Sequence, residues 1–354
     1  MFMSSKFING ININLSIIIP FYNNVTNIGK SIEGAISQLG YGDEIICIDD
    51  GSTDGSLDIV KNFANKDNRI KFFIQQNLGP GVARNVGIKA ARGEYIAFLD
   101  ADDYYPSKNI LSRLYAVAKE NNALICGGSF MTDNNGRIEE KFDGNMTGDT
   151  FNEDGWINFY DYQFDYAFYR FIYNRQFLIE NNLFFPNYRR YQDPPFMLQA
   201  FAKAGKFYAI RDITYCYTFV RGAVQWSVDK ILDLLAGIED NLIFSAEKGY
   251  RKIYRLNYHR LCQDFCNAIV ETALNLDFEG NIVKKLLKIQ IKIDRKILLD
   301  DTRFNDEEIE IITPLKIIID KMCTQRALLR KEGWFVKNKI FRFYTLPLRR
   351  LGCV

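Results

Sequence analysis

No apolar run in the chain approaches the roughly 18 residues that a membrane-spanning helix needs, so no span is expected. The seven cysteines among 354 residues are odd in number and scattered; they imply no disulfide framework, and a reducing cytoplasm is the expected setting. Charge of one sign is missing too. A formal net charge of +2 gives nucleic acid no broad electrostatic hold, and none is expected as a partner. The first residues carry one lysine, Lys6, and an apolar stretch broken by Asn9, Gly10, Asn12 and Asn14, which makes a poor signal peptide. Two familiar phosphate-binding loops are also lacking. Asn24-Val-Thr-Asn-Ile-Gly29-Lys30-Ser31 falls one residue short of a Walker A loop, with Asn24 in place of a glycine and with helical apolar periodicity. Gly79-Pro-Gly81-Val-Ala-Arg84 has Arg84 where a dinucleotide fingerprint needs its third glycine.

What is present is a core-forming chain, 47% hydrophobic, in which short apolar runs alternate with amphipathic segments. Leu15 to Ile19, Glu44 to Ile48, Ile70 to Ile74 and Tyr95 to Leu99 read as strands. Between them, Val25, Ile28, Ile32, Ala35, Ile36 and Leu39 recur at helical spacing. A second helix is opened by Ser52, Thr53 or Asp54 as caps, and a third begins near Gly81. Strands alternating with helices predict an α/β fold with a mostly parallel sheet. Ala123 to Phe130 fits a further strand, and Thr132 to Gly148, rich in Asn, Asp and Gly, a loop or hairpin.

The chemistry is expected where two of these strands end. Glu44-Ile-Ile-Cys-Ile48 runs into Asp49-Asp50, and Tyr95-Ile-Ala-Phe-Leu99 into Asp100-Ala-Asp102-Asp103. Ligands of open α/β sheets bind at the carboxyl ends of the strands. If both strands share a parallel sheet, four or five carboxylates converge on one edge. At about 4 Å and an effective dielectric near 20 each close pair repels by roughly 4 kcal/mol, so the cluster asks for a counter-charge. With no Cys or His among the ligands, a hard divalent metal ion, Mg2+ or Mn2+, is the expected cofactor. The plainer alternatives are turn and cap chemistry: Asp54 reads as a cap, and Asp100 to Asp103 as a polar turn before a helix opened by Pro106 and Ser107.

Four blocks in order, Ser16-Ile-Ile-Ile-Pro-Phe-Tyr-Asn23, Glu44 to Asp54, Asn77 to Gly87 and Gly93 to Asp103, resemble the signatures of family-2 inverting glycosyltransferases over roughly the first 130 residues. The resemblance implies a GT-A fold, a nucleotide-sugar donor and a glycan or lipid-linked acceptor. It implies that Pro20, Tyr22, Asp49, Asp50 and Arg84 meet the nucleoside. It makes Asp100 and Asp102 the Asp-x-Asp pair, with Asp102 the metal ligand, and favours a UDP-sugar in bacterial surface-glycan assembly.

Further along, Arg189-Arg-Tyr-Gln192-Asp193-Pro resembles the family's later acidic motif, with Gln192 in place of the common Glu. By this likeness Asp193 is the catalytic base that takes the acceptor's proton; read alone, Asp before Pro is an N-cap. The stretch from Tyr215 to Ser227 resembles the strand and loop that close over the diphosphate, with Arg221 to neutralise phosphates, Trp226 to stack on donor or acceptor, and Tyr217 and Phe219 in the core. The aromatics between Phe151 and Tyr173, among them Trp156, Phe159, Tyr160, Tyr162, Tyr166, Phe168 and Tyr169, read as core or as a platform for sugar rings. A catalytic domain over 1–227 and a helical region over 228–354 are expected. Within the latter, His259, Cys262 and Cys266 share a helical face and read as packing. The end of the chain mixes Lys337, Lys339, Arg342, Arg349 and Arg350 with Trp334, Phe335, Phe341, Phe343 and Leu346, opposed by Glu332. Such a tail reads either as a peripheral contact with an anionic membrane surface or as a solvated helix or oligomer contact. Two other functions compete. A sugar nucleotidyltransferase wants a Gly- and Lys-rich loop after the first strand, which Phe21-Tyr-Asn-Asn24 does not supply, and Gln192 keeps open a non-catalytic nucleotide-sugar-binding protein.

Overall fold

Isoleucine-rich strands with no polar alternation can only be buried on both faces, and that is how the first two are used. In the computed structural model, which describes residues 14–140, 150–219, 224–301 and 311–331, every residue of β1 (Leu15–Phe21) and β2 (Glu44–Asp49) is buried. With β3 (Ile70–Ile74) and β4 (Tyr95–Phe98) they form an all-parallel half-sheet in the order β3-β2-β1-β4. The helices α1 (Ile28–Ile36), α2 (Ser56–Lys66) and α3 (Pro80–Ala90) make the crossovers. Ile28, Ile32 and Ala35 are the buried stripe of α1, as their spacing requires. The Walker-like stretch is a turn from Asn24 followed by this helix, and the Ser31 hydroxyl donates to the carbonyls of Ala101 and Asp103.

Beyond β4 the sheet is mixed. β8 (Phe171–Asn174) lies between β4 and β5 (Ile125–Asn134), antiparallel to both; β9 (Lys206–Thr218) runs parallel to β5, and β7 (Gly155–Asn158) closes that side. The expected hairpin is β5 with β6 (Arg137–Glu139), turned by Asn135-Gly136, both at positive φ as such turns require. Its continuation through 141–149 lies outside the described residues. Two helix starts differ from expectation. α2 begins at Ser56 with Gly55 as N-cap, although Asp54 does accept from the Ser56 amide. α4 (Ile110–Glu120) begins four residues after Pro106, which sits in a turn.

The chain divides into two compact units, one comprising residues 1–187 and 192–222 and the other residues 188–191 and 223–354. The second is helical among its described residues. α8 (Val228–Lys248) buries Ile231, Leu234, Leu235, Ile238 and Leu242, and α9 (Arg251–His259) and α10 (Cys266–Asn275) follow, joined by a wide turn over Arg260–Asp264. Cys262 and Cys266 are buried, and burial pushes both thiols up. The segment Tyr188–Tyr191 is fastened within this unit: the Tyr191 hydroxyl donates to Asn257 and accepts from Arg260. No described helix is long and apolar enough to cross a membrane. The basic aromatic tail beyond Lys331 lies outside the described residues.

One close approach sets the position of the helix that carries Arg84. A Cβ on Gly87 would stand 2.5 Å from Ile18 Cγ2 of β1, so α3 rests directly on the strand through a bare backbone. Gly87→Ala is expected to destabilise the fold by about 1–3 kcal/mol through overpacking, read as a lower urea midpoint with an unchanged m-value.

Candidate functional site

Because β1, β2 and β4 run parallel, the exits of β2 and β4 share one sheet edge. The acids do not merge into one cluster, however. β1 stands between the two exits, which separates them by about 10 Å at ordinary strand spacing. Among the described residues, no three Asp, Glu, His or Cys side chains group closely enough to hold a metal ion by themselves.

The first acid group is neutralised by dipoles. Asp50 is buried, and its carboxylate accepts from Gln75 Nε2 at 2.7 Å and from the Leu78 and Gly79 amides at 2.8 Å each. Asp49 is buried as well and accepts from the Ser52 amide at 2.9 Å. Asn23 bridges across from the end of β1, its backbone amide donating to Ser52 Oγ and its side-chain Oδ1 accepting from the Thr53 amide. These bonds shape the turn after β2 against the exit of β1. Pro20 is buried within that strand, and Tyr22 just beyond it is 48% exposed.

The second group is neutralised by Arg84. Its guanidinium, only 4% exposed, donates from Nη2 to Asp100 Oδ1 at 2.6 Å and from Nη1 to Asp193 Oδ1 at 3.1 Å. The rings of Phe168 and Phe185 lie 4.7 and 5.3 Å from its central carbon. Burial alone would lower the Arg84 pKa; the charges of Asp100 and Asp193 outweigh it and raise it. Arg84 thus joins the end of β4 to Asp193, which is the first residue of α7 (Asp193–Ala204), preceded by Gln192 as N-cap residue. Gln192 is buried and packs against Gly81 at the start of α3.

Among the described residues no cation pairs directly with Asp102. Burial, then the charge of Asp100, pushes its carboxyl up to about 6; the charge of Arg84, bonded to Asp100 and Asp193, lowers it only from a distance. Asp103 is buried and raised further by burial and by Asp100 and Asp102; it is tied instead to Tyr215 and the Thr218 amide.

Of the remaining expectations, Arg221 lies outside the described residues, and Trp226 belongs to the second unit, where it packs against Phe265 and under Arg190. Tyr217 and Phe219 are not core. They are 36% and 48% exposed, although Tyr217 still lies opposite Thr132 of β5. The aromatic stretch from Phe151 divides: Phe159 and Phe168 are core, whereas Trp156 and Tyr160 face solvent. Sequence reasoning missed Gln75, Tyr215 and the double pairing of Arg84. Single polar residues at strand ends carry no pattern that reveals a partner, whether 25 positions away as for Gln75 and Asp50 or 112 as for Tyr215 and Asp103.

Comparison with known proteins agrees with this architecture. The family model described as Glycosyl transferase family 2 matches residues 16–182. This stretch belongs to glycosyl transferase family 2. The chain is 34% identical over 209 residues to the uncharacterized glycosyltransferase EpsJ of Bacillus subtilis (strain 168), covering 57% of this chain and 60% of that one. Glycosyltransferase GlyG of Streptococcus pneumoniae serotype 4 is 29% identical over 281 residues, with 70% and 90% covered. The chain spans 60% of EpsJ and 46% and 20% of two further curated relatives. Among solved structures, S. aureus TarS in complex with UDP-GlcNAc superposes with a TM-score of 0.65 at 23% identity, over 80% of this chain and 82% of that one. The fold is the expected GT-A fold with C-terminal helices.

Arg84 neutralises two carboxylates in a site closed to water on its own side. Arg84→Met, of similar length, takes this ion pair from both but leaves them within reach of water, and is expected to cost about 1–3 kcal/mol in stability, measured by urea unfolding at pH 7.

Proposed function

We propose that this chain is an inverting glycosyltransferase that moves a sugar from a nucleotide-diphosphate sugar to a hydroxyl of a glycan or lipid-linked acceptor in bacterial surface-polysaccharide synthesis. The observation that carries the reading is the bridge Asp100–Arg84–Asp193. It ties the proposed base to the turn bearing the Asp-x-Asp acids through one buried guanidinium. A UDP-sugar is the favoured donor, as TarS binds UDP-GlcNAc on a similar fold.

In this reading Asp193, with 33% of its side chain exposed, accepts the acceptor's hydroxyl proton. The freed oxygen bonds to the anomeric carbon from the face opposite the nucleotide. The bond from that carbon to the β-phosphate oxygen breaks, and the nucleoside diphosphate leaves with the electron pair. Arg84 orients Asp193 through Oδ1. Pro20, Tyr22, Asp49 and Asp50 line the nucleoside side, where the amide-rich turns hold the β2 exit rigid.

The donor set fits a divalent cation. Asp102 is a hard oxygen donor in a raised-pKa position, and the nearby guanidinium is already committed to Asp100 and Asp193. Mn2+ or Mg2+, held by Asp102 with diphosphate oxygens, would offset charge on the leaving group. Gln192 does not favour a non-catalytic protein, since its buried position would penalise a carboxylate and Asp193 remains next to it. The basic tail supports work at the cytoplasmic membrane face.

A thermal-shift screen of nucleotide sugars with and without Mn2+ tests the reading, the expected outcome being selective, metal-dependent stabilisation by one UDP-sugar. Asp193→Asn should keep that shift and lose transfer by about 100-fold or more. Pyrophosphate release from nucleoside triphosphate and sugar phosphate would establish a nucleotidyltransferase instead.

The pH dependence has a definite sign. A carboxyl raised in the folded state binds protons better when folded, so Asp102 favours folding at low pH and this benefit is lost as the pH rises through about 6. A cation on the ionised carboxylate reverses that loss. The melting-temperature rise given by Mn2+ with UDP is therefore expected to be larger at pH 7.5 than at pH 5, and absent at both in Asp102→Asn.

A further inference from the structure

The third acid of the turn, Asp103, and Tyr215 on β9 have no part in the chemistry above, yet they are among its most tightly held groups. The Asp100 amide donates to the Tyr215 hydroxyl at 3.1 Å. An amide nitrogen can only donate, so the hydroxyl proton points the other way, to Asp103 Oδ2 at 2.6 Å. Asp103 Oδ1 in turn accepts from the Thr218 amide at 2.7 Å. The Tyr215 ring is pinned by Tyr169, stacked at 4.2 Å and 27°, and by Tyr105, edge-on at 6.0 Å. Tyr104 and Cys216 exchange two backbone hydrogen bonds, which bind the same turn to the same strand. A fully buried hydroxyl is costly unless paired, and a phenylalanine would serve a strand that only had to pack. Both bonds of this hydroxyl go to the acid turn.

We propose that Tyr215 is a positioning residue for the metal and donor site: its hydroxyl, with Asp103 behind it, fixes the backbone of Asp100-Ala-Asp102 so that Asp102 can take a divalent cation together with a nucleoside diphosphate. The inference rests on the role proposed for Asp102. It assigns Asp103 to bracing the turn, with both carboxylate oxygens used inside the protein. Partners one step removed from a metal typically govern its affinity by 10–100-fold.

Calorimetric titration of the full chain with UDP, with and without Mn2+, separates this from simple loss of packing. Tyr215→Phe removes one oxygen atom and is expected to weaken Mn2+-dependent UDP binding by about tenfold or more, leaving metal-free UDP binding within about twofold. Tyr173→Phe is the control, because it loses an equally buried hydroxyl that donates to the Phe168 carbonyl at 2.8 Å. It should lower the melting temperature comparably without touching the Mn2+ term. Wild-type Mn2+-dependent affinity in Tyr215→Phe overturns the inference, and so does an equal loss in Tyr173→Phe. If Tyr215→Phe does not fold, Asp103→Asn probes the brace from its other end, with the same two outcomes. A wild-type chain showing no Mn2+-dependent binding of UDP sinks the reading of Asp102 itself, and this inference with it.

Discussion

The buried guanidinium of Arg84, shared between Asp100 and Asp193, is the contact on which the rest of the site depends. A cation this far from water is tolerated only with its charge matched nearby, and two carboxylates separated by 93 positions in the chain provide the match. The pairing dictates much around it. Gly87 lets α3 approach β1 through bare backbone, and Gln192 packs beside Gly81 at the start of the same helix. Aromatic rings rather than polar groups can then fill the remaining faces of the guanidinium.

The sheet edge offers three separate answers to one electrostatic problem. Asp50 is compensated by backbone and amide dipoles, Asp100 by a fixed cation, and Asp103 by a phenol and an amide. Asp102 receives less: burial and the charge of Asp100 raise its pKa, outweighing a backbone hydrogen bond and the more distant Arg84 charge, which lower it. A site that must capture and release a charged ligand needs one acid left electrostatically unfinished among neighbours that are not. The division also keeps the carboxylates of β2 out of reach of those of β4, so the repulsion that a single cluster would carry does not arise.

Much of this was legible beforehand because it is local. Unalternating isoleucine runs name buried parallel strands, and the periodicity of α1 unmasks a false phosphate loop. Acids at the ends of Glu44–Ile48 and Tyr95–Leu99 point to a ligand edge, and the ordered blocks point to the family now matched over residues 16–182. Other features were not legible. Tyr217 and Phe219 look like core by composition, but burial depends on what covers each face of the sheet, and at the end of β9 both stay exposed although the strand is still paired with β5. The convergence of four or five acids failed for a similar reason, since strand order is set by packing and put β1 between the two exits.

The sequence by itself determined the parallel α/β half, the acidic strand ends and the family, since hydrophobic period and short motifs act over a few residues and need no partner. Only the tertiary structure decided that Arg84 faces two acids, that Asp103 is braced by Tyr215 and that Asp102 forms no ion pair among the described residues. The first two depend on contacts between residues 109 and 112 positions apart, and all three on how burial strengthens each charge once the chain has closed around it.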